Sequence, residues 1–207
     1  MTNTRPGNRA QSILETLAKM LEEIDSRPIT TAALANEVGV SEAALYRHFP
    51  SKGRMYRGLI EFIEESLFTH VRRILDESKD AEIRCGKILS LYLGFAEHNL
   101  GLCRVLNGDA LCSEKPELRR RARKINTSIE TQLKQVFREA MYNGPRPLTA
   151  AESARLLMSI AQGRVDQYIA SDFKILPIEN WNEQWALLSV MLFGNLDRQE
   201  AVKSLSI

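Results

Sequence analysis

The chain has 207 residues, of which 44% are hydrophobic, 26% charged and 7% aromatic, a composition that excludes a disordered, collagenous or disulfide-stapled polymer. Lys and Arg number 28 against 26 Asp and Glu, for a formal charge of +2, so an anionic partner has to be met by a local patch rather than by the field of the whole molecule. No stretch approaches the roughly 20 apolar residues of a bilayer span, and the N-terminus holds no apolar signal segment; the expectation is a cytoplasmic protein. Cys85, Cys103 and Cys112 are odd in number and form no C-x-x-C pair. They are expected to be reduced core residues, with neither a disulfide framework nor a metal site.

In chain order, Ile13, Leu14, Leu17, Leu21 and Ile24 recur at helical spacing, and sustained period-two alternation is missing from the rest of the chain. The fold is predicted to be all-α. Breaks at Ser26-Arg27-Pro28, Gly39, Pro50, Glu77 to Asp80, Asn99 to Gly101, Asn107 to Asp109, Lys115-Pro116, Asn143 to Pro147 and Pro177 divide it into about nine helices. The first three are expected to be short and the fourth, from Ser51 to about Glu77, long. A head over residues 1–50 then stands on a helical body over residues 51–207. Pro116 suits a first helical turn, and Thr149 with Glu152 fits a capping box. The last two helices, about 149 to 170 and 180 to 197, are rich in Leu, Met, Ile and Trp, which predicts a homodimer formed through them.

Within the head, TTAALANEVGVSEAALYRHF over residues 30–49 reads as two short helices separated by Gly39-Val40, which is helix-turn-helix spacing. Thr30 or Thr31 can cap the first helix and Ser41 the second. With Leu45 and Phe49 turned inward, the second helix presents Ala43 and Arg47 outward, flanked by Ala44 and Tyr46. Such a slim helix can enter a major groove about 12 Å wide, where alanine meets thymine methyls and arginine reaches a guanine edge or a phosphate. Tyr46 and His48 are placed for phosphates, and the stretch from Arg47 to Arg57 contains Lys52, Arg54 and Arg57 with no acid. The candidate DNA-contacting residues are thus Thr30, Thr31, Ser41, Ala43, Ala44, Tyr46, Arg47, His48 and Lys52. The competing reading is a plain helical corner with a solvated basic face.

GVSEAALYRHFPSK resembles the signature of TetR-family regulators. The longer stretch ITTAALANEVGVSEAALYRHFPSKGRMYRGLIEFIEESL, together with GFAEHNLGLCRVLNGDAL, is similar to the nucleoid-occlusion subgroup of that family. The resemblance implies binding to palindromic chromosomal DNA and inhibition of the division tubulin FtsZ, hence a nucleoid-associated protein. Relatives often carry lysine where Ala33 stands, and a more basic N-terminal arm than Arg5 and Arg9 provide.

On the fourth helix Ile60, Ile63, Leu67, Val71 and Ile74 form one apolar face, and Phe62 falls opposite with Ser66, Thr69, His70 and Arg73. On the fifth, Leu89, Leu93 and Ala96 define the inward line, and Leu91 points away with Lys87, Gly94 and His98. Phe62 and Leu91 are either ordinary core residues or an exposed seat for an extended peptide. The resemblance implies that a groove between these helices takes up the FtsZ tail, and the matching positions are Phe62, His70, Leu91, Gly94, His98 and Asn99. His70 and His98 stand where relatives carry arginine, so attraction to an acidic tail is expected to strengthen as imidazole protonates.

The run Arg119, Arg120, Arg121, Arg123 and Lys124 reads as a solvated face or a second DNA-contacting surface. An alternative function is a ligand-responsive repressor of the same fold, its pocket lined by Tyr92, Cys103, Gln162 and Tyr168. An enzyme is not expected: the three histidines are scattered, and neither a phosphate-binding glycine loop nor a nucleophile motif is present. No cofactor is expected.

Overall fold

The computed structural model describes residues 6–23, 29–140 and 148–194. Arg5, Ile24, the break at 26–28, the break at 143–147 and the last helix beyond 194 therefore lie outside the described residues. Among the described residues the chain forms nine α-helices and no strand: α1 (Pro6–Met20), α2 (Thr31–Val38), α3 (Glu42–His48), α4 (Lys52–Glu77), α5 (Ala81–His98), α6 (Leu100–Asn107), α7 (Pro116–Glu139), α8 (Ala150–Ala170) and α9 (Trp181–Phe193). A 3₁₀ turn, Asp109–Leu111, follows α6. At 15 residues α1 is longer than expected. Pro116 opens α7, where its missing N–H costs nothing. The capping box forms as the spacing predicts: the Glu152 N–H donates to Thr149 Oγ1 at 3.2 Å, and the Thr149 N–H donates to Glu152 Oε2 at 2.7 Å.

The chain divides into two compact units, each assembled from two segments: residues 1–66 with 95–125, and residues 67–94 with 126–207. In the first unit Ile13 and Leu17 of α1, Leu34 of α2, Leu45 of α3 and Ile60 and Ile63 of α4 are buried to 1% exposure or less. Removing such side chains from water supplies most of the drive to fold. Gly101 is required at the approach of α6 to α1, because a Cβ there would stand 1.9 Å from the Ala18 carbonyl oxygen. Beside it Arg104 donates to the carbonyls of Leu21 and Glu23, each at 2.9 Å, and pairs with Asp109 at 2.6 Å. The open carbonyls beyond the end of α1 are thereby satisfied by a side chain of α6.

In the second unit Val71, Leu89, Leu93, Leu133, Phe137, Leu157 and Val165 are buried. Arg84, 5% exposed, donates to the Leu75 and Ser78 carbonyls and to Glu139, so its charge is fully bonded as burial demands. The Trp181 indole donates to Ser90 Oγ at 2.9 Å, and Gly86 gives Trp185 room: a Cβ on Gly86 would lie 2.7 Å from the indole nitrogen. Arg164 holds the segment before α9 by donating to Pro177 O and Glu179 O.

The cysteine expectation needs one correction. Cys85 and Cys103 are buried, and burial pushes the Cys85 thiol well above the usual range. Cys112 is exposed, because it follows the short 3₁₀ turn, where no helix face covers it.

Candidate nucleic-acid interface

The head is built from local signals. The Ala33 N–H donates to Thr30 Oγ1 at 3.1 Å, and the Ala44 N–H donates to Ser41 Oγ at 3.2 Å, so each short helix has the side-chain cap expected of it. Between them Gly39 adopts φ +75°, and the Val40 N–H returns to Ala35 O at 2.9 Å. This is a Schellman closure, which an L side chain at Gly39 would strain. Ala35 is 3% exposed, and its small side chain lets the helices approach.

Leu45 is fully buried, and this anchors the rotation of α3. Ala43 and Arg47 face solvent, as do Tyr46 and His48, and Ala44 is half-buried. Phe49, expected inside, is only half-buried, since it follows the last turn and has extended dihedrals. Arg47 Nε donates weakly to Ala43 O at 3.4 Å, which lays the guanidinium along the outer face. Tyr46 Oη donates to Thr31 Oγ1 at 3.4 Å, and that hydroxyl donates to Glu42 Oε2 at 2.9 Å. Thr31, Glu42 and Tyr46 thus form one exposed polar network across the two helices.

Lys52 is the residue whose surroundings the sequence did not reveal. It opens α4, but its ammonium pairs with Glu114 Oε1 at 2.8 Å, the side chains being 25% and 12% exposed, and lies 5.4 Å from the Tyr56 ring centroid. A cleft of about 580 Å³ adjoins this pair, lined by Thr30, Ala33, Tyr56 and Arg104 among others.

The predicted partner residues fall in both units. In the first, Phe62 is 43% exposed on α4, His98 is exposed, and Asn99 is half-buried with its amide donating to Phe95 O at 2.9 Å. In the second, His70 is exposed and Leu91 and Gly94 are half-buried. Leu91 lines a groove of about 590 Å³ with Arg73, Ile74 and Glu77 of α4, Ile83, Gly86, Lys87 and Ser90 of α5, and Trp185 of α9. Trp185 was not legible as a lining residue, because only the folded chain brings α9 beside α5.

Of the basic run, Arg121 pairs with Glu61 at 3.0 Å and Arg120 with Glu117 at 3.2 Å. Of the residues suggested for a ligand pocket, Tyr92 is buried with its hydroxyl on Asn126 Oδ1 at 3.1 Å, Cys103 and Tyr168 are buried, and Gln162 is half-buried. None of these four lines the cleft or the groove described above.

The profile of bacterial regulatory proteins of the tetR family matches residues 13–59, and that of the SlmA-like, tetracyclin repressor-like C-terminal domain matches residues 79–192. Over 197 residues the chain is 51% identical to the nucleoid occlusion factor SlmA of Marinomonas sp. strain MWYL1, covering 94% of this chain and 100% of that protein. It is 51% identical to SlmA of Shewanella halifaxensis over 187 residues, covering 89% and 95%. A TetR transcription regulator from Haloarcula marismortui superimposes with a TM-score of 0.72 at 18% identity, over 90% of this chain and 98% of that one, a likeness of fold alone. The chain belongs to the TetR family, in its SlmA group, and α2 and α3 form its helix-turn-helix.

Proposed function

We propose that this protein is a DNA-activated nucleoid-occlusion factor: a homodimer that binds palindromic DNA and, while bound, inhibits FtsZ assembly over the chromosome. The observation that carries the reading is the outward Ala43 and Arg47 face of α3, slim enough for a major groove and held in register by two side-chain caps. Thr30, Thr31, Ser41, Ala44, Tyr46, His48 and Lys52 surround it as the proposed backbone and base contacts. The names of the relatives support the occlusion role. Their regulatory nature also supports a binding protein rather than an enzyme, and among the described residues no helix is long and apolar enough to cross a membrane.

In this reading two copies joined through α8 and α9 bind half-sites about 34 to 36 Å apart, one turn of duplex. The division of labour assigns residues 1–50 to DNA, with Lys52 reaching it from just beyond, and residues 51–207 otherwise to dimerisation and the partner. On the body, Phe62, His70, Leu91, Gly94, His98 and Asn99 form the proposed contacts for the FtsZ tail. The groove beside Leu91 offers aliphatic and indole surface edged by Arg73 and Lys87, both paired with Glu77, at 2.9 and 3.7 Å, so an acidic segment of the partner would compete with that carboxylate for the two cations.

The test is Arg47→Ala in a titration of palindromic duplex selected by the parent protein from a random library. Loss of an arginine base contact is expected to cost about 1–3 kcal/mol, or roughly 5- to 150-fold in affinity. A phosphate contact would instead lower the salt slope by about one. Unchanged affinity and slope at matched salt would remove Arg47 from the interface.

A further inference from the structure

We infer that Glu114 is a built-in competitor for the DNA backbone, a latch that holds Lys52 off phosphate until a correctly seated duplex pulls it away. The inference rests on the DNA-binding reading of the head and adds a residue that the reading does not need. From Arg47 to Arg57 the sequence has no acid, which suggests that every cation there is available to DNA. The fold supplies the missing acid from the segment before α7. Glu114 meets the Lys52 ammonium at 2.8 Å and is only 12% exposed.

The neighbours keep the pair exclusive. Arg104, the other cation on the same cleft, is already taken by Asp109 and by the Leu21 and Glu23 carbonyls. Tyr56, whose ring faces the ammonium, has its phenol pushed up to about 12, mainly by burial and then by the charge of Glu114, so it stays neutral near pH 7. The cleft beside the pair, about 580 Å³ and shared with Thr30 and Ala33 at the start of α2, gives the lysine stem room to swing.

Moving Lys52 to a phosphate leaves Glu114 partly buried without its cation, and that cost has to be met by the rest of the interface. A duplex seated by Arg47 and the α3 face supplies it; a loosely held, non-specific duplex does not. The latch therefore lowers affinity for both duplexes: the palindrome bears the cost of parting Glu114 from Lys52, and random DNA forfeits the Lys52 contact.

The experiment compares the full-length parent with Glu114→Gln, Lys52→Met and the double variant, using both the selected palindrome and a random-sequence duplex at fixed salt. Gln keeps the size of Glu and an acceptor for the ammonium, and Met keeps the stem packed over Tyr56; thermal melts establish that each variant is folded. Glu114→Gln is expected to bind the palindrome about three- to tenfold more tightly, with no larger gain on random duplex, and the gain should vanish when Lys52→Met is added. Equal or weaker binding by Glu114→Gln would overturn the latch, as would a gain that survives in the double variant, which would mark a general effect of removing one negative charge. Failure of the underlying reading looks different: Arg47→Ala and Lys52→Met would then both leave DNA binding unchanged.

Discussion

Leu187→Glu is expected to convert the protein to a monomer and to weaken palindrome binding by about 100-fold or more. Leu187 is 76% exposed, the most open large apolar side chain among the described residues, and Val190 at 61% and Met191 at 39% continue the same face of α9. Arg155, Ser159 and Asp166 make the outer face of α8, where Gly163 has open space at its Cβ position. Small residues such as Ser159 and Gly163 on α8 and a leucine and valine ridge on α9 suit the packing of two helices from each copy as a four-helix bundle. Two-fold symmetry puts the substituted position in the interface once from each copy, so two desolvated carboxylates would disrupt it together. The loss of DNA affinity follows because joined heads gain about 10²- to 10⁴-fold from effective concentration, and separate heads lose it. Sedimentation velocity with a parallel DNA titration checks both parts. A variant that stays dimeric would move the interface away from α9.

The second large effect concerns FtsZ. Phe62→Ala and Leu91→Glu are expected to abolish inhibition of FtsZ assembly while leaving DNA binding intact. Phe62 shares its side of α4 with Ser66, Thr69 and His70, so its exposure is not a by-product of an apolar face running out of core. Truncation of an aromatic anchor at an interface costs about 2–4 kcal/mol, or roughly 30- to 1,000-fold in affinity. Leu91 lines the groove that Lys87, Arg73 and their shared partner Glu77 border, and a second carboxylate there would repel an acidic segment that competes for those cations. Pelleting of FtsZ polymer in the presence of palindromic DNA reads the effect, and a gel shift with the same duplex supplies the control. Full inhibition by both variants would remove these residues from the partner surface.

The head was legible because its determinants are local. A threonine and a serine before short apolar patterns, and a glycine between them, dictate two caps and a turn whichever residues lie elsewhere, and burial of Leu45 then sets which way Arg47 points. The exposed side of α4 was legible for the same reason, since helical periodicity alone separates Phe62 from Ile60 and Ile63. What remained hidden are pairings made between distant parts of the chain. Glu114 reaches Lys52, and Trp185 sits over Gly86, only because helices far apart in sequence pack together. Cys112 was misplaced because its apolar chemistry says nothing of the 3₁₀ turn that leaves it open.

In the function proposed for this protein, DNA on the head switches on the body's action against FtsZ. That switch is tested most directly by pelleting FtsZ with GTP and the parent protein, with and without the selected palindrome, at one protein concentration. Little loss of polymer is expected from the protein alone, marked loss when the palindrome is added, and a weaker effect with scrambled duplex. Equal amounts of polymer with and without the palindrome would contradict it.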